Sequence, residues 1–163
     1  MRIAGIKIKG ITSNSKQVKE GFVFVAIQGK RQDGGAFINE AIAKGANIVV
    51  VQKNMPKINI PKNVRLLKVG DCRKFLAKEV SKFYGSASHK LKVIGITGTN
   101  GKTTISYLIE ALAKESNLAC GVIGTINYRF QDETIIAKNT TPGPEELQKL
   151  LAKMLARGVK YCA

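Results

Sequence analysis

Short hydrophobic blocks separated by polar stretches predict alternating strands and helices in the first half of this chain. Apolar, β-branched runs predict buried strands at 22–27, 48–51 and 64–69. Apolar residues with helical spacing predict a helix over 36–44 that Gly45 closes. Asp71 is expected to cap a further helix that ends at Gly85. Because helices connect the strands, the sheet is expected to be largely parallel and covered on both faces.

The second half repeats the alternation. Strands are predicted at 93–96, at 119–126 and from residue 159, with a hairpin over 128–136 and helices over 105–113 and 145–157. The small, polar stretch 86–90 is the expected linker, and the single histidine, His89, is expected to be exposed there. The fold class predicted is α/β, with a small N-terminal α/β domain over 1–88. A mononucleotide-binding domain with a mostly parallel sheet follows over 89–163, and the strand that meets the chain end indicates that this second domain is truncated.

The turn 98–104 reads Gly-Thr-Asn-Gly-Lys-Thr-Thr and has the composition of a phosphate-binding loop. Gly98 and Gly101 let successive N–H groups face one anion, at the positive end of the helix that follows. Lys102 can reach the β- and γ-phosphates of a nucleotide, and the Thr103 hydroxyl stands where P-loop proteins hold Mg²⁺. The strict pattern fails at Ile96, where glycine is expected, but the strand, turn and helix are in order. The alternative is a glycine-rich turn without a ligand.

Charge raises the question of nucleic acid as a partner, because the chain carries 27 Lys and Arg against 11 Asp and Glu, a net charge of +16. Residues 1–90 hold 18 of the basic side chains against 5 acidic ones. These lysines are scattered singly, without interleaved aromatic residues or a nucleic-acid motif. The distribution therefore favours a solvated basic surface that attracts anionic substrates and argues against a nucleic-acid interface.

The remaining composition is that of a cytosolic globular protein. No apolar run approaches the ~20 residues that cross a bilayer, and the N-terminus is too charged for a signal peptide. The cysteines are widely spaced and are expected to be reduced, mostly buried thiols at Cys72, Cys120 and Cys162. We therefore expect a cytoplasmic protein without a membrane partner.

Three motifs in order resemble the Mur ligase family, the cytosolic enzymes that build the peptide of the peptidoglycan precursor. The first covers 11–29 and resembles the N-terminal signature D-S-R-x-V-x-P-G-D-L-F-V-A-L-x-G. The second is the Gly-Thr-Asn-Gly-Lys-Thr-Thr loop at 98–104, and the third combines Gly-Val-Ile-Gly-Thr at 121–125 with Asn-Thr-Thr-Pro at 139–142. Within the family, the combination is most similar to the ligases that add the third amino acid.

The resemblance implies roles for matching residues. Residues of the ATP loop are Gly98, Thr99, Asn100, Gly101, Lys102, Thr103 and Thr104, with Lys102 catalytic and Thr103 a Mg²⁺ ligand. Residues of the UDP-substrate site are Ser13, Ser15, Lys30, Arg31, Gln32, Asn139, Thr140 and Thr141. Asn14 and Lys16 replace the usual Asp and Arg of the signature, and Lys16 lacks the planar fork of an arginine.

Each substrate-site assignment has a plainer alternative. Ser13 and Ser15 could cap a turn, Lys30 and Arg31 could be solvated charges, and 139–142 could be a turn that leads into a helix.

The reaction implied is amide synthesis driven by ATP and Mg²⁺. A D-glutamyl carboxylate of UDP-MurNAc-L-Ala-D-Glu would attack the γ-phosphate, and the amine of diaminopimelate or lysine would displace phosphate from the acyl phosphate. The family motifs that would supply further metal ligands and the amino-acid site do not occur in these 163 residues, so the fragment is expected to be inactive alone. The dipeptide-adding Mur ligase and a noncatalytic nucleic-acid-binding P-loop module remain as alternatives.

Overall fold

The computed structural model describes residues 1–29, 33–56 and 58–163, and the chain divides into two compact units, Met1–Phe83 and Tyr84–Ala163. The predicted boundary after residue 88 falls inside the second unit and stays a prediction. No helix in the described ranges is both long enough and apolar enough to cross a membrane.

The first unit is built on a sheet of four parallel strands. Its strands are β1 (Arg2–Ile3), β2 (Ile6–Lys7), β3 (Gly10–Thr12), β4 (Phe22–Val25), β5 (Ala46–Gln52) and β6 (Arg65–Val69). The parallel sheet has the strand order β3-β4-β5-β6, and β1 and β2 form a separate antiparallel ribbon. The helices are α1 (Ile38–Ala43) and α2 (Cys72–Phe83), and 3₁₀ turns span Ser15–Gln17 and Gly34–Phe37. The predicted parallel sheet is thereby confirmed.

The core of this unit forms where the β-branched strands meet the helices. Val49 and Val51 of β5, Phe24 of β4 and Ile38 and Ala41 of α1 are nearly or fully buried together. The continuous apolar run of β5 is typical of a parallel strand covered on both faces. Asp71 caps α2 as predicted, because its Oδ1 accepts hydrogen bonds from the N–H groups of Arg73 and Lys74.

The second unit contains a mixed five-stranded sheet. Its elements are β7 (Lys92–Val93), α3 (Lys102–Glu115), β8 (Cys120–Ile123), β9 (Asn127–Phe130), β10 (Glu133–Ile136), α4 (Pro144–Ala156) and β11 (Tyr161–Cys162). The strand order in the sheet is β10-β9-β8-β11-β7. The predicted hairpin is confirmed as the antiparallel pair β9–β10, and β11 lies between β8 and β7, parallel to both. Tyr128, Phe130, Leu151 and Met154 belong to the core of this unit.

The stretch 86–90 is more ordered than the expected linker. It contains a 3₁₀ turn, Ala87–His89, whose first residue is fully buried in the second core. The amide of Gln148 on α4 also donates a hydrogen bond to the Ser88 hydroxyl at 3.3 Å. The stretch therefore belongs to the second unit, although His89 itself is exposed as predicted.

Candidate functional site

The glycine-rich turn joins β7 to α3 and has the backbone conformation that its glycines predict. Gly98 has φ 151° and Gly101 has φ 78°, both in the range that side chains disfavour. A Cβ on Gly101 would lie 4.0 Å from its nearest neighbour, so the glycine is required by the backbone conformation and not by lack of space. The turn is exposed from residue 97 to 101, so a solute can reach it from solvent.

Lys102 is the first residue of α3, and its side chain folds back over the turn. Its ammonium donates to the carbonyl of Gly98 and, at 3.4 Å, to that of Thr99. Gly101 is the N-cap, and none of the described side chains caps the helix, so the first-turn N–H groups keep their positive end open. The turn thus concentrates an ammonium and a helix N-terminus at one exposed point.

The adjoining residues of α3 differ in exposure. Thr103 is half-buried and its carbonyl accepts a hydrogen bond from the Ser106 hydroxyl at 2.7 Å, whereas Thr104 is exposed. A hydroxyl in the first turn of such a helix is the donor type that P-loop proteins offer to a phosphate-bound Mg²⁺. The residues present therefore fit a Mg²⁺–nucleotide complex.

The segment 139–141 of the same unit presents three exposed polar side chains on irregular backbone. The hydroxyl of the buried Tyr128 donates to the Asn139 carbonyl at 2.7 Å and accepts from the Asn139 N–H at 3.4 Å. The hydroxyls of Thr140 and Thr125 lie 3.3 Å apart, which connects this segment to the loop after β8. Sequence reasoning selected the exposed residues but missed Tyr128, which anchors them.

Ser13 and Ser15 follow β3 at the carboxyl edge of the first sheet. The turn is capped by Asn14, whose Oδ1 accepts from the Lys16 N–H at 3.0 Å. The buried Ser15 hydroxyl donates to Oε2 of Glu40 at 2.7 Å, and Oε1 of Glu40 pairs with Lys44 Nζ at 2.6 Å.

These two partners, Lys44 first, hold the pKa of the Glu40 carboxyl below its usual value. Lys30, Arg31 and Gln32, the other predicted substrate residues of this unit, lie outside the described residues.

Two small cavities at the same sheet edge were not predicted. One, of about 90 Å³, lies among Gln28, Asp33, Gln52 and Asn54, and the other, of about 220 Å³, among Gln28, Gln52 and the N-terminus of α2. The Arg73 guanidinium donates to the Gln28 carbonyl at 3.3 Å. Polar residues directly after parallel strands are the available signal, because ligands of α/β sheets bind beyond the carboxyl ends of the strands.

Comparison with protein families matches both parts of the chain. A family described as "Mur ligase family, catalytic domain" matches residues 7–84, and the "Mur ligase middle domain" matches residues 96–163. The second match contains the segment 98–104 and the segment 139–141.

Two curated relatives share one enzyme name, UDP-N-acetylmuramoyl-L-alanyl-D-glutamate–2,6-diaminopimelate ligase. The Clostridium tetani protein is 41% identical over 157 residues, which are 96% of this chain and 32% of that protein. The Aquifex aeolicus protein is 43% identical over 154 residues, covering 94% of this chain and 31% of its own length. This chain thus spans about a third of the length of the curated relatives it matches.

Solved structures agree with these matches. A structure of a UDP-N-acetylmuramoyl-L-alanyl-D-glutamate–2,6-diaminopimelate ligase has a TM-score of 0.77 at 24% identity, over 98% of this chain and 34% of that one, and supports the fold. The MurF ligase of Thermotoga maritima in complex with ADP has a TM-score of 0.59 at 27% identity, over 93% of this chain and 30% of that one. The dipeptide-adding alternative is not favoured, because the curated relatives at 41% and 43% identity are named as diaminopimelate ligases.

Proposed function

This chain belongs to the Mur ligase family, and from that premise we propose that it carries the ATP site and part of the UDP-substrate site of a ligase that adds the third amino acid to UDP-MurNAc-L-Ala-D-Glu. Relatives 37–43% identical to it are named as diaminopimelate ligases, which supports this reaction and supports diaminopimelate as the third amino acid. The observation that carries the proposal is the turn 98–104, where Lys102 and two positive-φ glycines meet the start of α3. The cytosol, where ATP is available, is the proposed compartment.

The ATP loop is proposed to comprise Gly98, Thr99, Asn100, Gly101, Lys102, Thr103 and Thr104. Its N–H groups and the Lys102 ammonium would surround the triphosphate, and Lys102 would offset the charge that moves onto the β–γ bridging oxygen. Mg²⁺, held through Thr103 and the phosphates, supplies neutralisation of phosphate charge when bound. Because phosphoryl transfer needs positioning and charge stabilisation more than covalent help, these groups would supply part of the protein's contribution at the phosphates.

The substrate residues are proposed to be Ser13, Ser15, Lys30, Arg31 and Gln32 in the first unit and Asn139, Thr140 and Thr141 in the second. Their hydroxyl and amide groups suit the hydroxyls, amides and carboxylates of a UDP-muramoyl peptide. Holding the remote uridine end fixes the D-glutamyl carboxylate for attack on the γ-phosphate. That attack would break the bond between the γ-phosphorus and the β–γ bridging oxygen and release ADP. The resulting acyl phosphate would then release phosphate and a proton when the amine of the third amino acid attacks its carbonyl carbon.

Calorimetric titration of the 163-residue chain with UDP-MurNAc-L-Ala-D-Glu tests the substrate half of this proposal. We expect saturable one-to-one binding that Thr140→Ala weakens, because Thr140 loses its hydroxyl in the exposed segment. Thr134→Ala, an exposed threonine on β10, is the matched control and should bind like the original chain. Absence of saturable binding, or equal affinity for UDP-glucose, would contradict the proposed substrate.

A further inference from the structure

We propose that Tyr128 is a positioning residue for the UDP-substrate: its hydroxyl fixes the backbone of Asn139, so that residues 139–141 present their side chains in one arrangement. The proposal rests on the proposed function, because it concerns the same substrate segment. Tyr128 does not itself touch the substrate, since its side chain is fully buried.

The geometry makes Tyr128 an unusual anchor. Its ring lies in the second core, and β9 holds it in register with Ile123 of β8 and Ile135 of β10. Its one polar atom bonds both backbone groups of a single residue, donating to the Asn139 carbonyl at 2.7 Å and accepting from the Asn139 N–H at 3.4 Å. A buried tyrosine hydroxyl needs a partner, and here that partner is the first residue of the substrate segment.

The segment needs such an anchor because the strand that precedes it has ended. β10 stops at Ile136, and residues 138–141 are exposed and lack regular structure. The next buried residue is Pro142, just before α4 begins. Tyr128 and Pro142 therefore fix the two ends of the segment 139–141. The Thr125–Thr140 hydroxyl contact at 3.3 Å restricts the movement of its middle residue.

Ordering an irregular segment costs conformational entropy for each residue that is fixed. If the segment is already fixed before the substrate arrives, that cost does not reduce the affinity. Removing the Tyr128 hydroxyl should transfer the cost to the binding step while the buried ring stays in place. The loss falls on substrate affinity and leaves the nucleotide site, on the turn before α3, unaffected.

Tyr128→Phe tests the proposal, with Tyr161→Phe as the matched control in the same unit. The Tyr161 hydroxyl contacts only Lys92 Nζ among the described residues, at 3.5 Å, and lies in an exposed pair. By calorimetry we expect Tyr128→Phe to weaken UDP-MurNAc-L-Ala-D-Glu binding by roughly tenfold, the effect of losing about one to two hydrogen bonds. Affinity for a Mg²⁺ complex of a non-hydrolysable ATP analogue should stay within about twofold of the original chain, and Tyr161→Phe should change neither.

Amide hydrogen exchange gives a second readout that needs no ligand. The Asn139 N–H should exchange faster in Tyr128→Phe, while amides of the β8–β9 pairing keep their protection. Unchanged substrate affinity in Tyr128→Phe, or parallel loss of substrate and nucleotide affinity with general loss of protection, would overturn the positioning role. Failure of the original chain to bind the substrate would instead overturn the proposed function, and with it the substrate that Tyr128 is argued to position.

Discussion

In the proposed nucleotide complex, the Lys102 ammonium would exchange its backbone partners for phosphate oxygens. In the structure its ammonium satisfies backbone carbonyls of Gly98 and Thr99, which are exposed and can be hydrated once the ammonium leaves. Phosphate oxygens are stronger acceptors than carbonyls because they are charged. The lysine therefore bonds the turn to itself in the structure, and in the proposed complex it would supply a charge-assisted attraction for the triphosphate.

Lys102→Ala should weaken binding of a Mg²⁺–ATP analogue by roughly 10- to 100-fold, since a hydrogen bond to a charged group contributes about 1.5–3 kcal/mol. Calorimetry measures the loss. Lys114→Ala, in the last turn of the same helix, removes an equal charge far from the turn and should leave the affinity nearly unchanged. Equal affinity of Lys102→Ala and the original chain would remove Lys102 from the proposed nucleotide site.

Cys162 illustrates how burial controls a single side chain. Burial, with a smaller contribution from Cys120, raises the pKa of its thiol to about 12. Because the unfolded thiol ionises near pH 9, the folded state holds its proton more tightly between these values. The contribution of the protonated Cys162 thiol to the free energy of unfolding is therefore fully retained below about pH 9. It declines as the pH rises from there toward 12.

The rate at which cysteines are alkylated at pH 8 should depend on how deeply each thiol is buried. We expect iodoacetamide to modify the half-buried Cys120 before the buried Cys162, because the thiolate is the reactive form. Peptide mass spectrometry at timed intervals reads the order directly. Faster modification of Cys162 in the native chain would show that its thiol is not buried as the structure describes.

Among the elements of the second unit, the helix that follows the turn 98–104 is connected to the sheet by the side chain of Arg129. Arg129 on β9 donates to both carboxylate oxygens of Glu110 on α3, at 2.6–3.0 Å, and its guanidinium lies 4.0 Å from the ring centre of Tyr107. The Glu110 hydrogen bonds raise the pKa of Arg129. A lysine has no planar fork and could not make the same contacts.

Arg129→Lys should lower the free energy of unfolding by about 1–2 kcal/mol, because charge-assisted hydrogen bonds of a partly buried pair are lost. Urea unfolding followed by circular dichroism measures the change. The control is Lys153→Met, which removes an exposed ion pair with Glu133 while Glu133 keeps its pair with Arg157. This variant should lower the free energy of unfolding by less than about 1 kcal/mol. Similar losses for the two variants would contradict a special role for Arg129.

Local patterns in the sequence predicted elements better than contacts. The parallel sheet, the β9–β10 hairpin and the cap at Asp71 follow from periodicity and capping chemistry, and the structure confirms them. The link from Ser15 to Glu40 joins residues 25 positions apart, and periodicity indicates which face is buried without indicating which side chains pair. For the same reason the sequence selected Asn139 but not the tyrosine beneath it.

The strand before the turn 98–104 is shorter than its apolar run predicts. Regular pairing covers only Lys92–Val93, at the edge of the sheet beside β11. Val93 and Ile94 are exposed by 51% and 39%, so hydrophobic composition alone did not place them in a core. Composition indicates that a residue can be buried, and the tertiary neighbours decide whether it is.

For the whole molecule, the net charge of +16 is the property that acts on every anionic partner alike. Only two ion pairs occur among the described residues of the first unit, Lys44–Glu40 and Lys82–Glu79, so many of its basic side chains face solvent. Such a surface attracts any polyanion, and the attraction is screened by salt. It accelerates capture of anionic substrates without specifying them.

Single-stranded RNA should therefore bind weakly, with an affinity that falls steeply between about 50 and 200 mM salt, because counterion release dominates such binding. Fluorescence anisotropy with a labelled oligonucleotide measures the slope. Binding of UDP-MurNAc-L-Ala-D-Glu should depend much less on salt, since it carries few charges. Tight, sequence-selective RNA binding at 200 mM salt would revive the nucleic-acid alternative.

Residues 98–104 are proposed to bind the triphosphate of ATP, and titration of the ¹⁵N-labelled 163-residue chain with a Mg²⁺–ATP analogue measures that binding amide by amide. We expect saturable chemical-shift changes that are largest at the amides of Gly98, Gly101, Lys102 and Thr103. They should need a roughly 10- to 100-fold higher nucleotide concentration in Lys102→Ala and should be preserved in Lys114→Ala. No saturable change at millimolar nucleotide, or changes centred away from the turn, would contradict it.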